Sequence, residues 1–184
     1  MSLSHAILAL ILDTPCSGYD LAKDFDRAVN FFWSASHQQI YRELAKLEEQ
    51  GWVQVEAIAQ LNRPGKKLYS ITEAGKAHLA KWLTQPSDVM PIKEELLVKL
   101  WAGHLLEPAI LSEEVKRHRQ FHADKLDGFM DIEQQFYSSP ADLSLQATYQ
   151  YLVLRRGIRY ERDRIAWCDE VLELMMNHPD VKSF

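Results

Sequence analysis

The stretch Ser36-His-Gln-Gln-Ile-Tyr-Arg-Glu-Leu-Ala-Lys-Leu-Glu-Glu-Gln-Gly51 decides the fold of this chain. Its apolar side chains recur at the i, i+4 and i+7 spacing that gives a helix one buried stripe, namely Ile40, Leu44 and Leu47. Ser36 and Gln39 have the spacing of a capping box, in which each side chain bonds the other residue's backbone. Gly51 is typical of the residue that follows a helix end. The pattern predicts an amphipathic helix over residues 36–50.

Two strands and a further helix are predicted directly after this segment. Residues 52–58 and 67–72 alternate apolar and polar side chains, as half-buried strands do. Pro64-Gly65 supplies the turn between them, and Thr72 can cap a helix that ends near Trp82-Leu83. A helix followed by a two-stranded antiparallel hairpin and another helix is the pattern of a winged helix-turn-helix. Duplex DNA is therefore the first candidate partner.

Two short helices precede this segment. One spans about Leu3 to Leu12 and ends before Pro15. Ser17 can cap the other, with Asp20 in the capping-box position. The predicted order of elements in residues 1–84 is thus that of a winged helix-turn-helix domain.

The face opposite the buried stripe of the helix at 36–50 is polar, and its side chains suit the major groove. Gln38, Gln39 and Arg42 are placed nearest base edges, because glutamine can pair with adenine and arginine with guanine. Lys46 is placed nearer phosphate. Further candidates for contact with the DNA backbone lie beside this face and at the hairpin tip: Ser36, Tyr41, Arg63, Lys66 and Lys67.

The remainder of the chain is predicted to be entirely helical, which makes the protein mostly α. Residues 85–92 are a proline-containing linker, and residues 93–184 form a separate helical domain. Its first helix is predicted over Glu94 to Leu106, and a second is capped by Ser112 and runs to about Tyr137. The last helix spans about Asp142 to Met176 and is on the order of 50 Å long.

The length of that last helix predicts dimerisation. Helices longer than about 25 residues usually belong to coiled coils or other extended packings. An apolar seam near its end is expected to pack against a second copy of the chain, and it comprises Cys168, Val171, Leu172 and Met175.

Composition and charge restrict the class of protein. The formal net charge is −5, yet residues 1–84 carry nine basic and nine acidic side chains and are neutral. The acidic excess therefore lies outside the predicted DNA-binding domain. No apolar run approaches the roughly 20 residues of a membrane span, and two cysteines make no disulfide framework. We expect a cytoplasmic protein that is not an enzyme and that needs no cofactor or metal.

Several short motifs, in this order, resemble the PadR-type transcriptional regulators that have a long helical C-terminal domain. Gly18-Tyr19-Asp20-Leu21 is similar to the start of their second helix, and residues 39–51 to their recognition helix. The remaining similarities are to the wing, the fourth helix and the C-terminal domain: residues 63–69, residues 71–75, Trp82-Leu83, residues 93–100, Arg156-Gly157 and Trp167.

This resemblance implies a homodimeric repressor that binds a palindromic operator. It also implies that Tyr19 and Tyr41 lie near the DNA backbone, and that a small aromatic effector releases the DNA. An aromatic-rich junction around Trp82 and Trp101 is the candidate effector site.

Two alternatives remain open at this stage. The winged helix can serve as a protein-interaction module that does not bind DNA. The chain can also be a metal- or pH-sensing regulator, because His118 and His122 lie one helical turn apart on the same face. Buried histidines that are hydrogen-bonded inside a helical core are the more common outcome of that spacing.

Overall fold

The computed structural model describes residues 3–28, 33–58, 66–87 and 93–179. The chain divides into two compact units, residues 1–90 and residues 91–184. This division falls inside the segment 85–92 that the sequence predicts as a linker. No helix in the described part of the chain is both long enough and apolar enough to cross a membrane.

The first unit has the winged-helix order of elements. Its helices are α1 (Leu3–Leu10), α2 (Gly18–Ala28), α3 (His37–Glu49) and α4 (Glu73–Leu83). Its strands are β1 (Cys16–Ser17), β2 (Val53–Ile58) and β3 (Lys66–Ile71), in the antiparallel order β1-β3-β2. The predicted two-stranded wing is present as β2 and β3. The third strand was not predicted, because β1 is two residues long and too short to show alternation.

The capping box predicted at the start of α3 and the glycine predicted at its end are both present, and hydrogen bonds fix each end. Gln39 donates its backbone N–H to Ser36 Oγ, and its Oε1 accepts the backbone N–H of Ser36 at 2.8 Å, which completes the capping box. After the helix, Gly51 has φ of 71°, a conformation that costs a residue with a side chain about 1–2 kcal/mol. This turn lets Gly51 and Trp52 donate to the carbonyls of Glu48 and Leu47, the Schellman motif.

The core of the first unit lies under α3. The predicted stripe is confirmed, because Ile40, Leu44 and Leu47 have no exposed surface. They pack with buried side chains from each of the other helices and from β2 and β3: Ile7, Leu8, Ile11, Leu21, Ala22, Phe25, Val53, Tyr69, Ile71 and Leu79. The stripe therefore orients α3 with its polar face outward.

The second unit is built on two long helices, α6 (Pro108–Phe136) and α7 (Leu145–Asn177), with the short α5 (Glu95–Trp101) before them. Single 3-10 turns at Gly103–Leu105 and Pro140–Asp142 precede the long helices. The predicted helix over 94–106 is thus shorter, and the last helix begins after Ser144, whose side chain accepts from the Ala147 N–H.

Two predictions for this unit are wrong in detail. Ser112 does not cap α6, because that helix begins at Pro108, a residue suited to the first helical position; Ser112 is buried inside the helix. Cys168 has no exposed surface, because Leu96 and Val115 of the same chain pack against it. The seam is therefore covered at Cys168 by its own chain. Val171, Leu172 and Met175 are half-buried, and their contact with a second copy stays a prediction.

Candidate nucleic-acid interface

The outward face of α3 offers two side chains with no competing partner. Gln38 and Arg42 are exposed, and neither makes a hydrogen bond or ion pair with another described residue. They occupy adjacent turns of the helix, four residues apart, and so share a face. In a major groove, the amide can donate to and accept from base edges, and the guanidinium can donate to them.

Gln39 is exposed as well, but its side chain is already used. Its Oε1 accepts from both the N–H and the hydroxyl of Ser36 in the capping box. A glutamine that pairs with adenine needs its carbonyl oxygen and its amide group together. Contact between Gln39 and a base, which stays a prediction, would therefore require the cap of α3 to open.

Lys46, at the other end of the exposed face, belongs to a small network that joins α3 to α1. Its ammonium lies 3.1 Å from Glu43, and the same carboxylate accepts the Ser4 hydroxyl of α1. Burial would raise the pKa of Glu43, but these hydrogen bonds outweigh it and hold the pKa below its usual value. Lys46 is exposed, so it can still approach a phosphate while Glu43 holds its position.

The two tyrosines that the resemblance placed near DNA are exposed, and one of them is fixed by a close contact. Tyr19 is 66% exposed and Tyr41 is 46% exposed. A Cβ atom at Gly18 would lie 2.4 Å from Cε1 of Tyr41, so the backbone at the start of α2 packs directly on that ring. Gly18 thus holds the Tyr41 ring beside α2, a role that the sequence pattern did not reveal.

The lysines of the wing differ in how available they are to contact a phosphate. Lys66 donates to Asp20 of α2 at 2.9 Å, and this bond together with that from Ser17 lowers the pKa of the Asp20 carboxyl. Lys67 is exposed and pairs with no described residue. Arg63, the third predicted cation, lies outside the described residues. Of the two described cations, Lys67 is the freer to meet a phosphate.

A single residue, Thr72, connects the end of α3, the base of the wing and α4 through its hydroxyl and its backbone N–H. Thr72 Oγ1 donates to the Gly51 carbonyl at 2.7 Å and accepts the Gly75 N–H at 3.1 Å. The Thr72 backbone N–H donates to the Trp52 carbonyl at 3.0 Å. The sequence predicted Thr72 only as a helix cap, because the contacts with residues 51 and 52 cross about 20 residues of chain.

At the predicted histidine site, His122 forms a buried pair with a glutamate of α7 rather than with His118. His122 is buried and its Nδ1 lies 2.5 Å from Glu161 of α7. His118 is half-buried, and burial and the neighbouring Arg117 lower its pKa. Among the described residues, no group of three or more His, Cys, Asp or Glu side chains could hold a metal ion.

The two tryptophans predicted to bind an effector differ in their surroundings. Trp82 packs against the core of the first unit and stacks on His5, with ring centroids 4.4 Å apart. Trp101 belongs to the second unit and is 90% exposed. Their joint role in an effector site stays a prediction.

An exposed apolar surface in the second unit went unnoticed in the sequence. It follows α5, the next 3-10 turn and the first turn of α6, and we call it the α5 patch: Leu97, Val98, Trp101, Leu105, Leu106 and Ile110. Its irregular path across three elements hides it from any single helical period. Large exposed apolar surfaces of this kind usually mark interaction sites.

Comparison with known proteins identifies the family. A model of the transcriptional regulator PadR-like family matches residues 7–81, and a model of the virulence activator alpha C-terminal domain matches residues 92–176. A probable transcriptional regulator of Mycobacterium tuberculosis, Rv1176c, is 39% identical over 95% of this chain and 98% of its own.

Solved structures agree over nearly the whole chain. Bacillus subtilis PadR in complex with operator DNA superposes with a TM-score of 0.80 at 28% identity, over 94% of this chain and 98% of that one. The same protein has also been crystallised with p-coumaric acid. The Vibrio cholerae virulence activator AphA has a TM-score of 0.75 at 34% identity, over 94% and 96%. With this agreement across both units, the chain belongs to the PadR-like family of transcriptional regulators.

Proposed function

We propose that this regulator binds a palindromic operator as a homodimer, with α3 in the major groove and the wing on the flanking backbone. The observation that carries the proposal is the outward pair Gln38 and Arg42. Both are exposed and without a partner in the described chain, on a helix whose opposite face is fully buried. The operator complex of Bacillus subtilis PadR supports the same class of partner.

Pairing of two copies is supported by the α5 patch. An apolar surface that includes Val98 at 69% exposure and Trp101 at 90% would be costly to leave in water, at about 25 cal/mol per Å². A second copy of the chain would cover it by a two-fold arrangement, the commonest symmetry of soluble oligomers. Two recognition helices would then read two half-sites about one helical turn of DNA apart, or a multiple of it.

Repression is the sign of regulation that we propose. The Bacillus subtilis relative is named a negative transcriptional regulator, whereas the Vibrio cholerae relative is named a virulence activator. A reporter driven by the operator-containing promoter decides the sign, because deletion of the regulator raises expression only if it represses.

Release of the operator by a small aromatic effector is the second part of the proposal. The crystal structure of the Bacillus relative with p-coumaric acid supports this class of effector. A ligand of this kind can act only if it binds one conformation of the dimer more tightly than the other.

A gel-shift titration with the promoter of the chain's own operon tests the proposal. Loss of a bidentate base contact in Arg42→Ala should weaken operator binding by about 1–3 kcal/mol and relax specificity at one base pair. Lys67→Ala should weaken specific and non-specific DNA alike and lower the salt slope by about one. Lys76→Ala is the matched control, because Lys76 is an exposed cation on α4 paired with Glu73.

The outcomes separate the proposal from the protein-interaction alternative. If the parent protein shows no salt-dependent affinity for duplex DNA, the interaction module is the better description. If Arg42→Ala and Lys67→Ala bind as tightly as Lys76→Ala, the docking of α3 and the wing is wrong.

A further inference from the structure

The turn that joins the two long helices of the second unit contains a cleft of about 470 Å³, which the proposed DNA-binding role does not use. One wall comes from the end of α6, and the other comes from the 3-10 turn at Pro140–Asp142 and the start of α7. This volume lies within the range of roughly 300–1,000 Å³ typical of small-molecule sites. The side chains that matter for binding are Met130, Asp131, Glu133, Tyr137, Pro140 and Tyr151.

Two stacked tyrosine rings line the cleft, and one of them has no cation against it. The rings of Tyr137 and Tyr151 have centroids 5.1 Å apart and planes inclined by 29°. The guanidinium of Arg155 lies over the Tyr151 ring, 5.9 Å from its centroid. Over the Tyr137 ring, the described part of the chain places no cation. Because the face of an aromatic ring carries negative potential, the Tyr137 ring can accept a positive charge from a ligand.

Glu133 holds this pair of rings in place, and its own charge is already neutralised. Its Oε1 accepts the Tyr151 hydroxyl and Nη1 of Arg155, each at 2.9 Å. The hydrogen bond from Arg155 and that from Tyr151 lower the pKa of the Glu133 carboxyl, so this group stays ionised beside the guanidinium. The three groups satisfy one another, and this part of the lining is therefore fixed before a ligand arrives.

Asp131 supplies the charge that remains uncompensated. It is exposed, and it makes no hydrogen bond or ion pair with another described residue. Since Arg155 compensates Glu133, the charged side chains of the lining leave one net negative charge, at Asp131. An anionic ligand would be repelled by this carboxylate, whereas a cation would be attracted both by it and by the Tyr137 ring. The lining therefore favours a positively charged ligand.

We propose that this cleft binds a small quaternary ammonium compound, with its charged head between the Asp131 carboxylate and the Tyr137 ring and its carbon chain against Met130 and Pro140. A quaternary ammonium fits better than a primary amine, because its N-methyl groups carry the positive charge but need no hydrogen-bond acceptors. Aromatic rings are the usual receptors of such ligands in proteins. The site lies inside the second unit and goes beyond the proposed DNA-binding role.

Occupancy of the cleft would act on the hairpin formed by α6 and α7. The lining spans the end of α6, the 3-10 turn and the start of α7, so one ligand would contact all three. A ligand that binds only the folded chain stabilises it by mass action. We therefore expect the thermal unfolding midpoint of the protein to rise with ligand concentration.

Isothermal titration calorimetry of the full-length protein, in the absence of DNA, tests the site directly. The ligands are choline and 3,3-dimethylbutan-1-ol, which has the same shape but carries carbon in place of the charged nitrogen. We expect choline to bind about tenfold more tightly, because the uncharged analogue makes neither the cation–π nor the ionic contact. Thermal unfolding at increasing choline concentration gives an independent measure of binding.

Two substitutions remove the contacts one at a time. Asp131→Asn removes the charge of an exposed side chain without changing its shape, and Tyr137→Leu removes the ring but keeps an apolar side chain. Each should weaken choline binding about fivefold. Tyr137→Phe keeps the ring and should recover the affinity that Tyr137→Leu loses. The matched control is Asp127→Asn, the same change on an exposed aspartate one helical turn earlier and outside the lining, and it should leave the affinity unchanged.

Three results would overturn the proposal. One is the absence of binding heat and of thermal stabilisation with choline and tetramethylammonium up to millimolar concentration. The second is equal affinity for choline and its uncharged analogue, or tighter binding of methylammonium than of tetramethylammonium. The third is choline binding that survives both Asp131→Asn and Tyr137→Leu. Operator affinity, measured separately by gel shift, does not depend on any of these results.

Discussion

The two units differ in how completely they bury their apolar side chains. In the winged-helix unit, apolar side chains from each of the described helices and from β2 and β3 meet in one core. In the helical unit, the core cluster around Leu96, Val115 and Cys168 is small, while large apolar side chains of α5, α6 and α7 remain exposed. Two long helices packed side by side have too little mutual surface to cover every apolar residue.

This contrast assigns different sources of stability to the two units. The first has a core of its own, as an independently folding domain requires. The second leaves Trp101 and Val98 in solvent and so depends on another surface for full burial. We expect stability of the first unit to be independent of protein concentration and that of the second to rise with it.

The largest effect is expected from opening the core of the first unit. Leu44→Ala removes a fully buried side chain and should lower the free energy of unfolding by about 2–5 kcal/mol. Chemical denaturation followed by circular dichroism measures this change. Leu83→Ala is the control on an exposed leucine of the same unit and should cost within about 0.5 kcal/mol. Equal losses in both variants would show that Leu44 contributes no more to stability than the exposed Leu83, which would contradict a core packed around α3.

Next in size is the expected loss of dimer when a charge enters the α5 patch. Val98→Asp should raise the dimer dissociation constant about 100-fold, because burying an unpaired carboxylate costs several kcal/mol. Sedimentation velocity across a concentration series measures the constant. Lys116→Asp introduces the same side chain outside the patch and should leave the constant unchanged. A Val98→Asp protein that remains a dimer at micromolar concentration would place the contact elsewhere, such as at Val171, Leu172 and Met175.

A smaller effect is expected where α2 meets the recognition helix. Gly18→Ala puts a methyl group against the Tyr41 ring and should push that ring away from its place beside α2. Operator affinity should fall about tenfold, roughly 1.4 kcal/mol, while the fold is retained. Fluorescence anisotropy with labelled operator gives the affinity. Gly128→Ala, at a helical position with nothing within 4 Å of the new Cβ, should leave operator affinity unaltered.

The smallest effect is a dependence of stability on pH in the first unit. Burial and the nearby His78 lower the pKa of His5 from 6.5 in the folded chain. The folded state therefore binds fewer protons than the unfolded state. The stability associated with neutral His5 is present above about pH 6.5 and is lost as the pH falls.

Thermal unfolding at pH 7.5 and 5.5 measures this dependence. His5→Phe keeps a ring for the stack on Trp82 but does not titrate, so its midpoint should fall less on acidification than that of the parent. A drop of the same size in both proteins would assign the dependence to other groups.

Features encoded locally in the sequence could be predicted, and features that depend on distant residues could not. The capping box of Ser36 and the turn at Gly51 follow from side chains a few positions apart, and the structure confirms them. The ion pair of Lys66 with Asp20 joins residues 46 positions apart, and that of Arg164 with Glu94 joins residues 70 apart. A single sequence carries no periodic signal for such pairs. The pairing that makes Lys66 less available to a phosphate than Lys67 therefore appeared only in three dimensions.

The junction at Thr72 has a consequence for how such a regulator can acquire new targets. Because one residue ties the end of α3, the base of the wing and α4, the recognition helix and the described wing strands keep a set spacing. Substitutions at Gln38 or Arg42 lie outside this junction and can change which bases are preferred without altering that spacing. In related regulators, the preferred bases can therefore change through substitutions on the exposed face of α3. The spacing between α3 and the wing strands, which sets how the unit docks on DNA, stays the same.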